Sequence, residues 1–482
     1  MNLKNIMLSA LLIESQIEEY ALELLKNLIR GTEFDGKAYI AGGYVRDQIL
    51  GKPSKDIDIV VELPQGGIKF AEYITKKLNI YKSNTNPVIF PTYGTAKFTL
   101  YGVKYKGHDL SNIDIECVMT RKEQYHDGSR NPDVSPGTLK DDVDRRDFTV
   151  NSLLRNLSSN EIVDLTGMGK QDIKNGIIRT PLNPDIIFSE DPLRMLRAVR
   201  FTVKYNWKLP LFMIRSLKKN AQQLRNISKE RIREELDKIL ISPKPATGIR
   251  LLQLTGLMKF VIPELEELVG LSQNKYHKDD AFKHTLEVLK NVPADIKKRL
   301  GALFHDIGKG RTKEIINNEV HFYRHEEVGA EMAKEIMKAL KYPNEIIDAV
   351  STIVANHMRL KFAGDEAKVT DKSLRKLSLD LKDHLEDVLD VMHSDNQAHG
   401  DGHTMPNQIP KIKELYKTLS FEPKAQHIKL PVNGTDIIER YKVKGKAIGD
   451  ALKFLEDKYL ENPNITREES IKFLDDYFKQ IK

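Results

Sequence analysis

A change of texture near Gly167 divides this chain. Before it, short β-rich runs at residues 38–41, 57–61, 95–100 and 113–118 are separated by Gly, Pro and Asn clusters, with one helical stretch over 68–78. After it, segments such as 191–205, 228–240 and 325–340 carry apolar residues three and four apart, the spacing of helices that bury one face. An α/β head followed by a long helical body is the expectation. A single core rarely organises 482 residues, so three or four domains are expected.

Composition removes several classes. Hydrophobic residues make up 40% and charged residues 30%, which fits a globular chain and neither a disordered nor a fibrous one. No apolar run reaches bilayer length, so no membrane span is expected. The apolar stretch at 7–13 runs into Glu14, Glu18 and Glu19 and reads as the start of an amphipathic helix, not as a signal peptide. The one cysteine, Cys117, excludes an internal disulfide and a multi-cysteine zinc site, and fits a reducing cytoplasm. Lys and Arg number 76 against 69 Asp and Glu, a net +7 that permits nucleic-acid binding without establishing it.

Asp56-Ile57-Asp58 lies in a β-type run. Side chains alternate along a strand, so both carboxylates leave one face, about 7 Å apart, while Ile57 and Ile59 enter the core. Such a hard-oxygen pair suits Mg²⁺. Asp114-Ile115-Glu116 repeats the pattern, and either acid is a candidate third ligand for a two-metal site. Upstream, Gly42-Gly43-Tyr44-Val45-Arg46 reads as a strand that ends in glycines and enters a helix. Backbone N–H groups there approach phosphates closely, and Arg46 adds a charge.

These elements together resemble the class II CCA-adding enzymes, tRNA nucleotidyltransferases of the poly(A) polymerase superfamily. The resemblance implies Asp56, Asp58 and Glu116 as the catalytic carboxylates and Gly43 and Arg46 as triphosphate contacts. The run 145–151 resembles the second motif of that family, which implies a nucleotide contact for Arg146. Residues 164–179 resemble the third, with Leu-Thr-Gly-Met at 165–168 in place of Pro-Phe-Gly-Gly. The polar stretch 125–142 lies where the family has its flexible loop.

The segment 190–201 is expected to be one amphipathic helix. Asp191 and Arg194, a turn apart, then project side by side. A carboxylate accepts from the exocyclic amino group of cytosine or adenine and a guanidinium donates to the adjacent ring nitrogen, whereas uracil and guanine set a carbonyl against the carboxylate. The resemblance implies this base-selecting role for Asp191 and Arg194, and nucleotide contacts for Arg197 and Arg200. Residues 228–240, with Arg231 and Glu235, resemble the fifth motif and read as a brace.

Ten of the thirteen histidines fall between His277 and His403. Imidazoles with carboxylates suit a transition metal such as Mn²⁺, Ni²⁺, Fe or Zn²⁺, which activates water near neutral pH. The order His284, His305-Asp306, Asp395 resembles the HD phosphohydrolase superfamily and implies those four as ligands, with His325 and His357 for a second metal. His321, His393, His399 and His403 are expected to be ordinary surface or packing residues. In the tail, 430–438 and 444–449 resemble the last module of HD-fused CCA enzymes, and the Lys444–Gly445 turn reads equally as a phosphate-backbone grip or a plain turn.

The expected architecture is therefore an α+β multidomain chain: an N-terminal helix (1–35), a nucleotidyltransferase-type α/β palm head (36–165), an all-α neck and nucleotide-binding body (166–270), an all-α HD domain (271–405) and a helical tail (406–482). The expected function is template-independent CCA addition to tRNA from CTP and ATP in the cytoplasm, with no membrane and no obligate protein partner. An HD phosphatase or 2′,3′-cyclic phosphodiesterase is the possible second activity. The alternatives are a poly(A) polymerase, a CC- or A-adding enzyme, or an HD phosphohydrolase whose head only binds RNA.

Overall fold

The structure is a computed structural model that describes residues 3–54, 56–80, 86–124, 133–273, 279–400, 403–419 and 430–481. The chain forms two compact units, 1–244 with 248–261, and 245–247 with 262–482.

The first unit is built on a mixed seven-stranded sheet. Its strands are β1 (Ala38–Ala41), β2 (Ile57–Val61), β3 (Val88–Phe90), β4 (Thr95–Thr99), β5 (Asp114–Met119), β6 (Leu154–Asn156) and β7 (Ile162–Val163), ordered β7-β6-β1-β2-β5-β4-β3. Only β2 and β5 pair in parallel; every other pair is antiparallel. Alternation then sorts the side chains. Ile57, Ile59, Val61, Ile115 and Cys117 are buried on the face against which a helix from Gly66–Lys77 packs with Phe70, Ala71 and Ile74. On the other face Tyr39, Ala41, Val60 and Leu154 form a core with Val143 of a short helix, Leu139–Asp144. That helix starts in a capping box at Thr138, whose side chain and that of Asp141 satisfy each other's backbone N–H groups.

Of the helices of this unit, those that bear on the site are labelled in chain order α1 (Leu3–Ile29), α2 (Gly43–Ile49), α3 (Gly66–Lys77), α4 (Leu139–Asp144), α5 (Pro184–Glu190), α6 (Leu193–Tyr205) and α7 (Lys229–Leu240). α1 buries Ala21, Leu22, Leu25 and Ile29, and its Leu28 carbonyl accepts a 3.0 Å hydrogen bond from the Tyr73 hydroxyl of α3. α6 packs on α7, with Arg200 2.7 Å from Glu235.

The segment expected as one helix over 190–201 is broken at its start. Asp191 is extended (φ −138°, ψ 97°) and caps the end of α5; α6 begins only at Leu193. The cause is Pro192, whose ring disfavours helical geometry in the preceding residue. The stretch expected as a loop over 125–142 also differs. Asp133–Pro136 pairs antiparallel with Arg121–Gln124, and α4 follows, because Thr138 and Asp141 supply a helix start. The remainder of that stretch, 125–132, lies outside the described residues.

The second unit is helical around α8 (Ala281–Asn291), α9 (Ile296–Phe304), α10 (His325–Ala339), α11 (Asn344–Asn356) and α12 (Leu385–Gln397). Asp280 and Asp295 cap α8 and α9 through backbone N–H groups two and three residues on. A hairpin, Lys313–Ile316 with Glu319–Phe322, interrupts the region expected to be all-α. The helix Gln408–Thr418 packs on α12, where Gln408 and Asn396 are hydrogen-bonded at 2.7 Å. The last three helices, Gly434–Tyr441, Lys446–Glu461 and Arg467–Ile481, close on their own core of Val432, Ile437, Ala451, Leu455 and Leu474. Lys372 joins them to the rest of the unit through Asp457 at 2.6 Å. No helix among the described residues is long and apolar enough to cross a membrane.

Candidate active sites

The parallel pairing of β2 with β5 sets Asp58 directly opposite Glu116. Asp56 precedes β2 by one residue and is exposed. Burial pushes the Asp58 carboxyl up to about 6, Glu116 and Asp56 push in the same direction, and Arg146 opposes them. Carboxylates brought together in this way are hard oxygen donors, which fit a divalent cation of the Mg²⁺ kind. Asp114, left open as a ligand by alternation alone, is drawn away: it ion-pairs with Lys97 at 2.7 Å and accepts from the Thr99 hydroxyl.

Gly42 closes the other side of the site. Its φ of +68° belongs to the left-handed region, and a Cβ there would stand 3.3 Å from Arg146 Nη1 and 3.8 Å from Asp58 Oδ2. Gly43, singled out in the sequence, follows as the first residue of α2. Arg146 is held by Asp142, with Nη2 donating to Oδ2 at 2.9 Å, and by the Asn151 carbonyl at 3.2 Å. Arg145 holds the second Asp142 oxygen and reaches Glu123 at 3.0 Å. Burial raises the Asp142 carboxyl, but Arg146 and Arg145 outweigh it and hold it below the usual range.

The remaining arginines lie in the junction between sheet and neck. Arg46 is buried; its Nε donates to Asp47 at 2.9 Å, Nη1 donates to Asn151, and its guanidinium sits 5.2 Å from the Phe201 ring and 5.0 Å from that of Tyr205. Arg197 donates from Nε to Asp147 at 2.9 Å. Arg194 turns to Glu190 at 3.0 Å and to the carbonyls of Ile187 and Arg145 at 3.2 and 2.7 Å. Asp191 instead meets Arg231 of α7 at 3.3 Å. The break at Pro192 thus leaves Asp191 outside α6, and the two side chains have different partners.

In the second unit six expected residues converge. His284 comes from α8, His305 and Asp306 from the end of α9, His325 from the start of α10, His357 from the end of α11 and Asp395 from α12. All six are buried, and they form two triads with ligand-type atoms within 4.8 Å: His284, His305 and Asp395, and Asp306, His325 and His357. Asp306 stands between them, with Oδ2 3.2 Å from His305 Nε2 and Oδ1 3.3 Å from His325 Nε2. The Nδ1 atoms of His305, His325 and His357 lie 2.8, 2.8 and 2.7 Å from the carbonyls of Ala302, Phe322 and Val354. An Nδ1–H donated to a carbonyl fixes the tautomer and leaves Nε2 as a lone pair, as metal-ligating histidines require. Gly308 permits this convergence, since a Cβ would meet the His325 carbonyl oxygen at 2.2 Å.

Two lysines flank the triads. Lys309 lies 2.7 Å from Asp306 Oδ2, and Lys361 lies 2.7 Å from Asp395 Oδ2. Burial alone would raise both carboxyls; His305 and Lys309 for Asp306, and Lys361 and His284 for Asp395, hold them well below the usual range. A cavity of about 530 Å³ opens beside these groups, and His321, His399 and His403 line it. These three, expected to be ordinary surface or packing residues, belong to neither triad and line the cavity. Their signal was available only in part, because nothing in spacing separates a cavity-lining histidine from His393, which instead contacts Gln397 at 3.0 Å.

Residues 38–179 match the poly(A) polymerase head domain family, 213–268 match the family described as "Probable RNA and SrmB- binding site of polymerase A", and 282–393 match the HD domain family. The CC-adding tRNA nucleotidyltransferase of Thermus thermophilus is 30% identical over 453 residues, covering 91% of this chain and 93% of that protein. The CCA-adding enzyme of Ligilactobacillus salivarius is 27% identical over 96% of this chain and 97% of its own length. Among solved structures, the Bacillus stearothermophilus CCA-adding enzyme in complex with CTP is similar in fold, with a TM-score of 0.65 at 22% identity over 96% of this chain and 98% of that one.

Proposed function

The chain belongs to the tRNA nucleotidyltransferase family, and from that premise we propose that it adds C, C and A to tRNA 3′ ends from CTP and ATP, in the cytoplasm. The observation that carries this reading is Asp58 opposite Glu116, with Asp56 alongside and Gly42 and Arg146 on the adjoining side. Asp56, Asp58 and Glu116 would hold Mg²⁺, with Asp56 and Asp58 as ligands, and the ion would supply positive charge for the attacking ribose hydroxyl and the departing pyrophosphate. Gly42 and Gly43 let phosphate oxygens approach the start of α2, and Arg146 neutralises them. Asp191 and Arg194 read the base once the neck residues exchange their present partners for it. Arg46, Arg197 and Arg200 shape the pocket through Asp47, Asp147 and Glu235.

A second activity is favoured by one specific arrangement, the paired triads around Asp306 beside a cavity that holds Lys309 and Lys361. We read this as a phosphohydrolase centre for two transition-metal ions such as Mn²⁺, Ni²⁺, Fe or Zn²⁺. The lysines are placed to draw in a phosphate ester.

Calorimetric titration with each of the four ribonucleoside triphosphates in Mg²⁺ tests the main reading. Binding of CTP and ATP, and not of UTP or GTP, is expected. Equal binding of all four contradicts the selective pocket.

A further inference from the structure

The carboxylate face of the first unit's sheet is only half covered. Val60, Val118 and their neighbours lie under α4, whereas in the next row Asp58 is half-buried and Glu116 and Lys97 are exposed. Along that row Asp58 pairs with Glu116, Glu116 with Lys97 of β4, and Lys97 with Val88 of the edge strand β3. Directly paired residues share a face, and so do residues two apart on one strand. Phe90, two residues beyond Val88, therefore faces the same side. Phe90 is 49% exposed and Val88 44%, and the Lys97 side chain is 48% exposed.

Gly42 and Arg146, assigned to the incoming nucleotide's phosphates, lie on the opposite flank of Asp58. Gly42 comes from the turn between β1 and α2, and Arg146 follows α4. In an in-line displacement the attacking hydroxyl and the leaving pyrophosphate stand on opposite sides of the reacting phosphorus. With the phosphates beside Gly42 and Arg146, the hydroxyl arrives from the Glu116 side. The next side chains there are Lys97, one strand away, and Val88 at the edge, with Phe90 beside Val88 in the adjoining row of Thr95 and Val118.

We propose that Lys97 and Phe90 hold the 3′-terminal nucleotide of the RNA acceptor, Lys97 on its phosphate and Phe90 against its base; this rests on the nucleotidyl-transfer reading. An ammonium has three donors, and the 2.7 Å pair with Asp114 uses one of them while fixing the side chain in place. Stacking on a ring accepts any base, which suits an acceptor whose last nucleotide changes at each addition.

Two experiments on the full chain test this. An acceptor RNA ending in 4-thiouridine is irradiated on the enzyme and the cross-linked peptide is mapped. Attachment within residues 86–99, lost in Phe90→Ala, is expected; attachment confined to other segments overturns the proposal. In steady state, Phe90→Ala and Lys97→Met are each expected to raise KM for the acceptor roughly tenfold or more, with KM for CTP little changed. An unchanged acceptor KM in both variants, while the parent enzyme adds CCA, sinks this proposal alone. Failure of the parent to add any nucleotide sinks the underlying reading, and the cross-link still reports where an RNA end lies.

Discussion

Asp58 and Glu116 face each other across the one parallel strand pair of the head sheet, and Lys97 faces Glu116 from the strand beyond. Three neighbouring strands thus place two acids together and a base next to them, and that base withdraws Asp114 from the pair. Asp58→Asn or Glu116→Gln is expected to slow single-turnover CTP incorporation on the order of 1000-fold, the size of several kcal/mol of lost charge stabilisation. With acceptor RNA saturating, Asp114→Asn is expected to stay within about threefold of the parent, a difference of under about 1 kcal/mol. Equal losses in all three contradict the division of roles.

Gly42→Ala addresses the turn. The substitution forces a side chain into φ +68° and against Arg146. A destabilisation of about 1–2 kcal/mol and a raised KM for CTP are expected in urea titration and steady-state assays. An unchanged KM removes Gly42 from the nucleotide pocket.

Arg200 is placed as a brace. Its partner Glu235 is 3% exposed, and loss of one member of such a buried pair typically costs about 3–5 kcal/mol. Arg200→Met is therefore expected to lower stability by about that amount with similar KM values for CTP and ATP. A raised KM at unchanged stability would show direct nucleotide contact instead.

Acid sensitivity follows from Asp142. Its carboxyl is held below the ordinary range because Arg146 and Arg145 outweigh the effect of burial. A depressed folded pKa gives stability that is fully present above the unfolded value of about 3.9 and is lost as pH falls through the folded one. The stability gap between the parent and Asp142→Asn, read by urea titration, is expected to be full at neutral pH and to shrink below about pH 4. A gap that widens on acidification contradicts the assignment.

Metal content tests the second unit. Elemental analysis is expected to find up to two transition-metal ions per chain, one associated with each triad. His284→Ala and His357→Ala are each expected to lose one and keep the other, whereas Asp306→Asn weakens both. Loss of all metal from either histidine variant contradicts two separable positions.

Much of this was legible in the sequence because the relevant order is local. Alternation through 56–58 and 114–116 was enough to put acids on one face, and β1, β2, β4 and β5 fall within a residue of the β-rich runs. Periodicity could not decide between Asp114 and Glu116, since that choice depends on Lys97, a residue from another strand. The helix expected over 190–201 failed at Pro192, where a restriction on the preceding residue overrides apolar spacing. The short strands β3, β6 and β7 were missed for lack of length, and the cavity placement of His321, His399 and His403 is a product of tertiary packing.

The central claim is tested most directly by sequencing the 3′ ends made from tRNA transcripts that end at the discriminator base, at C or at CC, with Mg²⁺, CTP and ATP. The account predicts completion of each transcript to CCA followed by a halt, abolished by Asp56→Ala/Asp58→Ala. Untemplated A tails, arrest at CC, or no addition at all would contradict it.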